Sequence, residues 1–318
     1  MLSYIVRRLL HALLIVILVS FAVFLLVRAM PGDPVDIIVA QRTLVAMTPE
    51  QIDALRQEHG LDRPVIVQYA TWLGRVVRGD FGLSIIHNYD IGREIAARAR
   101  VSLTLGIMAF VVSLVVGPLL GTISAIRRGK FIDNLVSVIA NIGITAPQFW
   151  IGILLIYIFG LRLGWLPPFG YTLPWVNFGH SIRSGILPVF VIALGPIASG
   201  ARQMRSSMLE TLGEDYIRTA WAKGNYERRV IIRHAVKNSL MPVITLQGIL
   251  LRMIIGGAVV VETVFVIPGM GRLLVDAMHS QDYPVIQAVV LVMTFVVVLS
   301  SLVVDLLYGW VDPRIQYS

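Results

Sequence analysis

Uncharged apolar runs as long as a bilayer is thick recur along this 318-residue chain, and no other feature constrains its fold as tightly. No Asp, Glu, Lys or Arg occurs between Arg100 and Arg127, or between Asp133 and Arg162. About 20 residues of helix cross the hydrocarbon layer, where backbone N–H and C=O groups must be satisfied without water. With 56% hydrophobic and 14% charged residues and a mean hydropathy of +0.77, the composition is that of a chain whose main solvent is lipid. The expectation is an all-α polytopic membrane protein, a single domain over 1–318 with about six spans near 9–29, 101–126, 134–161, 184–204, 238–266 and 283–304.

The first run follows Arg7 and Arg8, extends from Leu9 to Val27, and stops at Met30-Pro31-Gly32-Asp33-Pro34. It exceeds the apolar region of a signal peptide and lacks a small-residue cleavage site, so it reads as a retained helix. Six spans put both termini on one side. Short loops on that side hold Arg7, Arg8, Arg127, Arg128, Lys130 and the basic stretch from Arg202 to Lys237; opposite loops hold Arg162, Arg183 and Arg272, with Arg98 and Arg100 against the count. Positive charge stays in the cytoplasm, so both termini are expected there and residues 31–100 outside. Topology thereby accounts for the net charge of +8. The basic residues form no stripe with interleaved aromatics, so membrane lipid is an expected partner and nucleic acid is not.

The outer segment carries its own helix signals. Thr48-Pro49-Glu50-Gln51 is a capping-box start and predicts a helix from Pro49 to His59, before Gly60. Val65, Tyr69, Leu73 and Val76 recur at helical spacing and predict a second helix after Pro64. On the other side, residues 205–237 are too charged to cross and too rich in helix formers to be a slack linker. Gly213-Glu214-Asp215-Tyr216-Ile217-Arg218-Thr219-Ala220-Trp221-Ala222-Lys223-Gly224 reads as a short surface helix with an acidic first turn and a terminal glycine.

This stretch resembles the coupling loop of the ABC importer permeases of the dipeptide, oligopeptide and nickel family. Their pattern of E-A-A, three residues, then G reads here as Arg218-Thr219-Ala220, three residues, then Gly224. Further matches run along the chain: Pro31-Gly32-Asp33-Pro34, Gly79-Asp80-Phe81-Gly82, Pro147-Gln148-Phe149-Trp150, Gly256 to Phe265 followed by Ile267-Pro268-Gly269-Met270-Gly271, and Asp312-Pro313-Arg314. The resemblance implies a type I ABC importer permease fold in a bacterial or archaeal cytoplasmic membrane. It also implies a second homologous permease, two ATP-binding subunits that use ATP and Mg, and an extracytoplasmic substrate-binding protein. Tyr216, Arg218, Thr219, Ala220, Lys223 and Gly224 would couple to the ATPases. The cargo would be a dipeptide or oligopeptide, with nickel, a metal chelate or glutathione as the alternative within the family.

Enzyme chemistry is not expected in this chain. Gly129-Lys130 is followed by Phe131 and lacks the earlier glycine of a phosphate loop, so ATP hydrolysis is assigned to separate subunits. The six histidines fall into no H-E-x-x-H or close ligand spacing, and there is no cysteine, so neither a metal site nor a cofactor is expected here. A channel or secondary transporter would instead show ionisable residues recurring in several spans, or inverted repeats. Two features of the fifth run point to the transport path. Arg252 lies about 21 Å along the helix from Asn238, beyond easy snorkelling, and needs a wet cavity, a partner subunit or substrate around its charge. Val261, Glu262, Phe265 and Pro268 lie where the helix breaks at the outer surface, either as a gate or as a packing ridge.

Overall fold

The computed structural model describes residues 2–29, 50 and 62–311. The predicted helix at 49–59 and the motifs at 31–34 and 312–314 lie outside the described residues. Helices in chain order are α1 (Leu2–Ala29), α2 (Val65–Val77), α3 (Ile91–Ile126), α4 (Phe131–Thr145), α5 (Gln148–Leu155, continued by the π-helical segment Ile156–Arg162), α6 (Phe178–Leu212) and α7 (Asp215–Ala222). One turn at Glu227–Arg229 and a π-helical segment at Val230–Val236 then lead into α8 (Lys237–Val264), followed by α9 (Met270–His279) and α10 (Tyr283–Val311). Among the described residues, four helices are long and apolar enough to cross a membrane, or up to six if each bent pair counts as one span. Contacts among the described residues divide the chain into two compact units, one from residues up to 100 with 272–302, the other from 101–271 with 303–311.

In the first unit, Tyr69 of the apolar face expected along α2 turns toward α1, while Val65 is exposed. The Tyr69 hydroxyl lies 2.7 Å from that of Ser20, and the Tyr69 ring meets the edges of Phe21 and Phe24 at 5.1 and 5.3 Å between centroids. Arg28 stacks 3.7 Å above Phe24 and donates to Gln68, giving its charge a polar partner beside an aromatic face. After α2 the chain reverses through Gly79 and Gly82, both at positive φ, where Asp80 accepts from the Gly82 N–H at 2.9 Å and pairs with Arg75 at 2.8 Å. Hydrogen bonding from Arg75, then from the Gly82 N–H, lowers the Asp80 carboxyl below the usual carboxylate range. Farther on, the Ser84 hydroxyl donates to buried Asp282 in the turn before α10.

The second unit is organised around α6, whose most apolar window is 72% buried, against 28% for α3. The sequence sets this span at 184–204, between Arg183 and Arg205 with Arg202 near its end; the helix runs 35 residues because Arg202 and Arg205 are accommodated along it. Arg202 donates to Asn141 at 2.8 Å, and Arg205 holds Asp133 with two N–H groups at 2.7 and 2.9 Å. Gly117 and Gly121 of α3 lie against α6: a Cβ on Gly117 would sit 3.1 Å from the Ile197 carbonyl oxygen, and one on Gly121 would come 2.6 Å from the Met204 Cβ. Buried Gln247 of α8 donates to the Pro196 carbonyl at 3.2 Å and accepts from the Ser113 hydroxyl at 3.2 Å, a polar crossing of three helices.

The third expected span is not one straight rod. Ala146 is extended because the following Pro147 disfavours helix there, and α4 meets α5 at 111°. Gly152 of α5 then packs on Phe265, whose ring would lie 3.2 Å from an added Cβ.

Candidate functional site

The element singled out between the fourth and fifth spans is a helix of eight residues, Asp215–Ala222, set off by a turn at Gly213. Glu214 is extended at its start, and Asp215 stands in the first turn, where a carboxylate favours the helix dipole. At the other end Gly224 takes φ +77° and donates to the Trp221 carbonyl at 2.9 Å, a reversal that favours glycine. A Cβ there would meet nothing within 4 Å, so the requirement is backbone conformation rather than space.

The helix has two faces. Ile217 and Ala220 are buried in one cluster with Ala125 of α3, Met204 and Met208 of α6, Val230 and Ala235 of the π-helical segment, and Val243 of α8. Burying an isoleucine side chain is worth roughly 1.5–3 kcal/mol, so α7 is tied to the ends of the helices on either side of it in sequence. The Asn238 amide adds a 3.0 Å hydrogen bond to the Tyr216 hydroxyl, and the Asn225 amide one of 2.9 Å to the Ala220 carbonyl. Tyr216, Arg218, Thr219, Trp221, Lys223 and Gly224 are exposed. Of the six residues expected to couple, Ala220 alone faces inward and packs. Trp221, 47% exposed, was not among them; its spacing from the buried pair was readable, since it lies one residue past Ala220 on a helix.

At the same end, the α3–α4 turn is locked to α6. The Asp133 carboxylate, 2% exposed as a residue, accepts from the Ser124 hydroxyl and from the Gly129 N–H at 2.9 Å, besides Arg205. Fork geometry and additional donors are what let a carboxylate stay charged out of water.

At the other end of α8, Val261, Glu262 and Phe265 are buried, whereas Pro268 is exposed. Val261 and Phe265 belong to the main apolar cluster of the unit, with Ile156, Ile192 and Ile254, so in this conformation they pack rather than line open space. Glu262 accepts from the Ser102 hydroxyl and, at 2.7 Å, from the Gly271 N–H; the Met270 N–H in turn donates to the Ser102 oxygen at 2.8 Å. These N–H groups open α9, so the carboxylate caps a helix start. Gly269 has no side chain because one would overlap that carboxylate, and Gly271 because one would overlap Val259. Ahead of both, Val266 reaches φ +56°, an outlier for a β-branched residue. The side chain of Arg252 lies outside the described residues.

Helices of bilayer length, bent pairs among them, and a small helix fastened to two of them by its inner face define an integral membrane protein with an exposed surface element. The chain belongs to a family of transport subunits: the pattern of the binding-protein-dependent transport system inner membrane component matches residues 117–317, and that of its N-terminal part matches residues 1–120. It is 41% identical to the "Putative peptide permease protein" of Brucella suis biovar 1 over 100% of both chains. It is 39% identical to the "Probable peptide ABC transporter permease protein" of Sinorhizobium fredii over 99% of both, and 38% identical to the "Oligopeptide transport system permease protein AppB" of Bacillus subtilis over 100% of both. The fold is therefore that of a type I ABC importer permease, a multi-pass protein of the inner membrane and not itself a catalyst.

Proposed function

We propose that this chain is one permease subunit of an ATP-driven importer that carries peptides into the cytoplasm. It pairs with a second homologous permease, receives cargo from an extracytoplasmic binding protein, and is driven by two separate subunits that bind ATP and Mg. Both termini and α7 face the cytoplasm in this reading, as the distribution of Lys and Arg supports. The peptide cargo is supported by the names of the full-length relatives.

The observation that carries the reading is the division of α7 into an exposed face and a buried one. A displacement of Tyr216, Arg218 or Trp221 by a docked ATPase moves Ile217 and Ala220, and with them the ends of α6 and α8. The helices then rock to open the path to either side in turn. Gly224→Asp tests it in proteoliposomes holding both permeases, both ATPases and the binding protein, with a labelled peptide outside. Uptake should require ATP and fall sharply in the variant while the amount of assembled permease holds. ATP-independent uptake by this chain alone would sink the reading.

A further inference from the structure

The stretch joining α5 to α6, at the opposite end of α6 from α7, has a charge and surface pattern that transport coupling does not explain. No Asp or Glu occurs anywhere from Asn134 to Leu209, yet Arg162 and Arg183 flank this connection. Among the described residues neither guanidinium meets a carboxylate: Arg162 donates to the Tyr157 hydroxyl at 3.1 Å and Arg183 to the Trp165 carbonyl at 3.3 Å. Arg183 and His180 line a cavity of about 340 Å³ with Gly160, Trp165 and Pro168. The His180 ring lies 2.9 Å from the Gly170 carbonyl, which holds the rim together. Trp165 of the lining is 62% exposed, and on the same connection Trp175 and, at the start of α6, Phe178 are 65% and 68% exposed, with Phe169 exposed as well.

Large exposed aromatics on a connection whose arginines meet no carboxylate among the described residues match the chemistry of the membrane interface. Rings with a polar edge settle at headgroup depth, and Arg offers a planar fork that fits phosphate oxygens. We propose that this cavity is a binding site for the headgroup phosphate of an anionic phospholipid, with Arg183 as the donor at the cavity and Arg162, two residues in sequence from the lining Gly160 and Gly164, as a second cation on the same connection. The exposed aromatics then lie among the lipid glycerol and upper acyl chains. Such a lipid fixes the depth of the α5–α6 connection and so the outer end of α6.

The test uses the full chain in nanodiscs holding equal phosphatidylglycerol and phosphatidylcholine, followed by native mass spectrometry of the released protein. Phosphatidylglycerol should be retained preferentially. Arg183→Gln should lower that preference about fivefold, and Arg162→Gln added to it should lower it again by a similar factor, since each cation near an anionic surface contributes on that scale. Arg183→Lys should keep most of it. Both arginines are exposed, so the variants should stay monodisperse, and Trp165 fluorescence should be quenched by brominated phosphatidylglycerol in the parent chain. An unchanged lipid preference in the double variant overturns the proposal. So does displacement of the lipid by inorganic phosphate, which would make the cavity a site for a free anion. Protection of Trp165 only when the substrate-binding protein is added would assign the surface to that protein instead.

Discussion

The Glu262 carboxylate occupies the space that a side chain on Gly269 would need. Because that carboxylate also receives the Gly271 N–H and the Ser102 hydroxyl, a methyl at 269 displaces a hydrogen-bonded group rather than a loose one. Gly269→Ala should therefore destabilise the chain by about 1–3 kcal/mol, the usual range for overpacking. Gly256→Ala in α8, where a Cβ meets nothing within 4 Å, should cost nothing and gain up to about 1 kcal/mol. Thermal unfolding of both variants in detergent checks the pair; equal midpoints would show that the α9 cap is not rigid.

Two glycines of α3 should respond oppositely to the same change. At Gly121 a Cβ would press on the Met204 Cβ at 2.6 Å and on the α6 backbone, so Gly121→Ala should cost about 1–3 kcal/mol by forcing the helices apart. At Gly106 the nearest atom is the Ile254 Cγ2 at 3.6 Å, an ordinary contact, and removing a helical glycine gains roughly 0.5–1 kcal/mol. Unfolding midpoints should fall for the first and rise or hold for the second.

Arg205→Ala should be worse than Asp133→Asn. The first leaves a buried carboxylate with only Ser124 and Gly129 as described donors, while the second leaves a partly exposed guanidinium that water can reach. Breaking a wholly buried pair costs about 3–5 kcal/mol; with the Arg205 side chain 33% exposed, about 2–3 kcal/mol is the expected loss. A double-mutant cycle on thermal stability measures the coupling, and additive effects would mean the pair is not formed in the membrane.

The spans were legible because charge is excluded from hydrocarbon; the bend after Ala146 was not expected, although Pro147, which fixes its own φ and restricts its neighbour, is its physical cause. The surface helix at Asp215–Ala222 followed from an acidic start and a glycine stop. What the sequence withheld was direction. Glu262 could be given a depth along α8 from helical rise, but not a facing, because Ser102 stands 160 residues away in sequence. Its placement with a gate rested on the helix break at Pro268, and its burial against the start of α9 is a tertiary fact. Likewise the Tyr69 face of α2 was readable as apolar, whereas its partners Ser20 and Phe24 on α1 were not. Arg205 ended the fourth span on paper because a sequence shows the charge without showing Asp133.

The two faces of α7 should separate stability from transport. Ile217 is fully buried, so Ile217→Ala removes packing on Met204, Met208 and Val243 and should cost about 2–5 kcal/mol, lowering the unfolding midpoint of the isolated permease. Trp221 and Arg218 are exposed, and the only described ion pair of Arg218, with Asp215 at 3.1 Å, joins two highly exposed side chains and contributes little. Trp221→Ala and Arg218→Ala should therefore leave that midpoint within about 0.5 kcal/mol of the parent. In the complete importer the order reverses. An exposed aromatic or arginine that becomes an interface anchor typically contributes about 2 kcal/mol or more, so the surface variants should weaken ATPase binding roughly 30-fold and lower ATP-dependent uptake with it. Co-purification of the ATPases at graded concentrations, beside uptake and a melting curve for each variant, resolves the two effects. If Trp221→Ala and Arg218→Ala retain parent affinity and parent uptake, α7 is a structural cap and the motor engages the permease elsewhere.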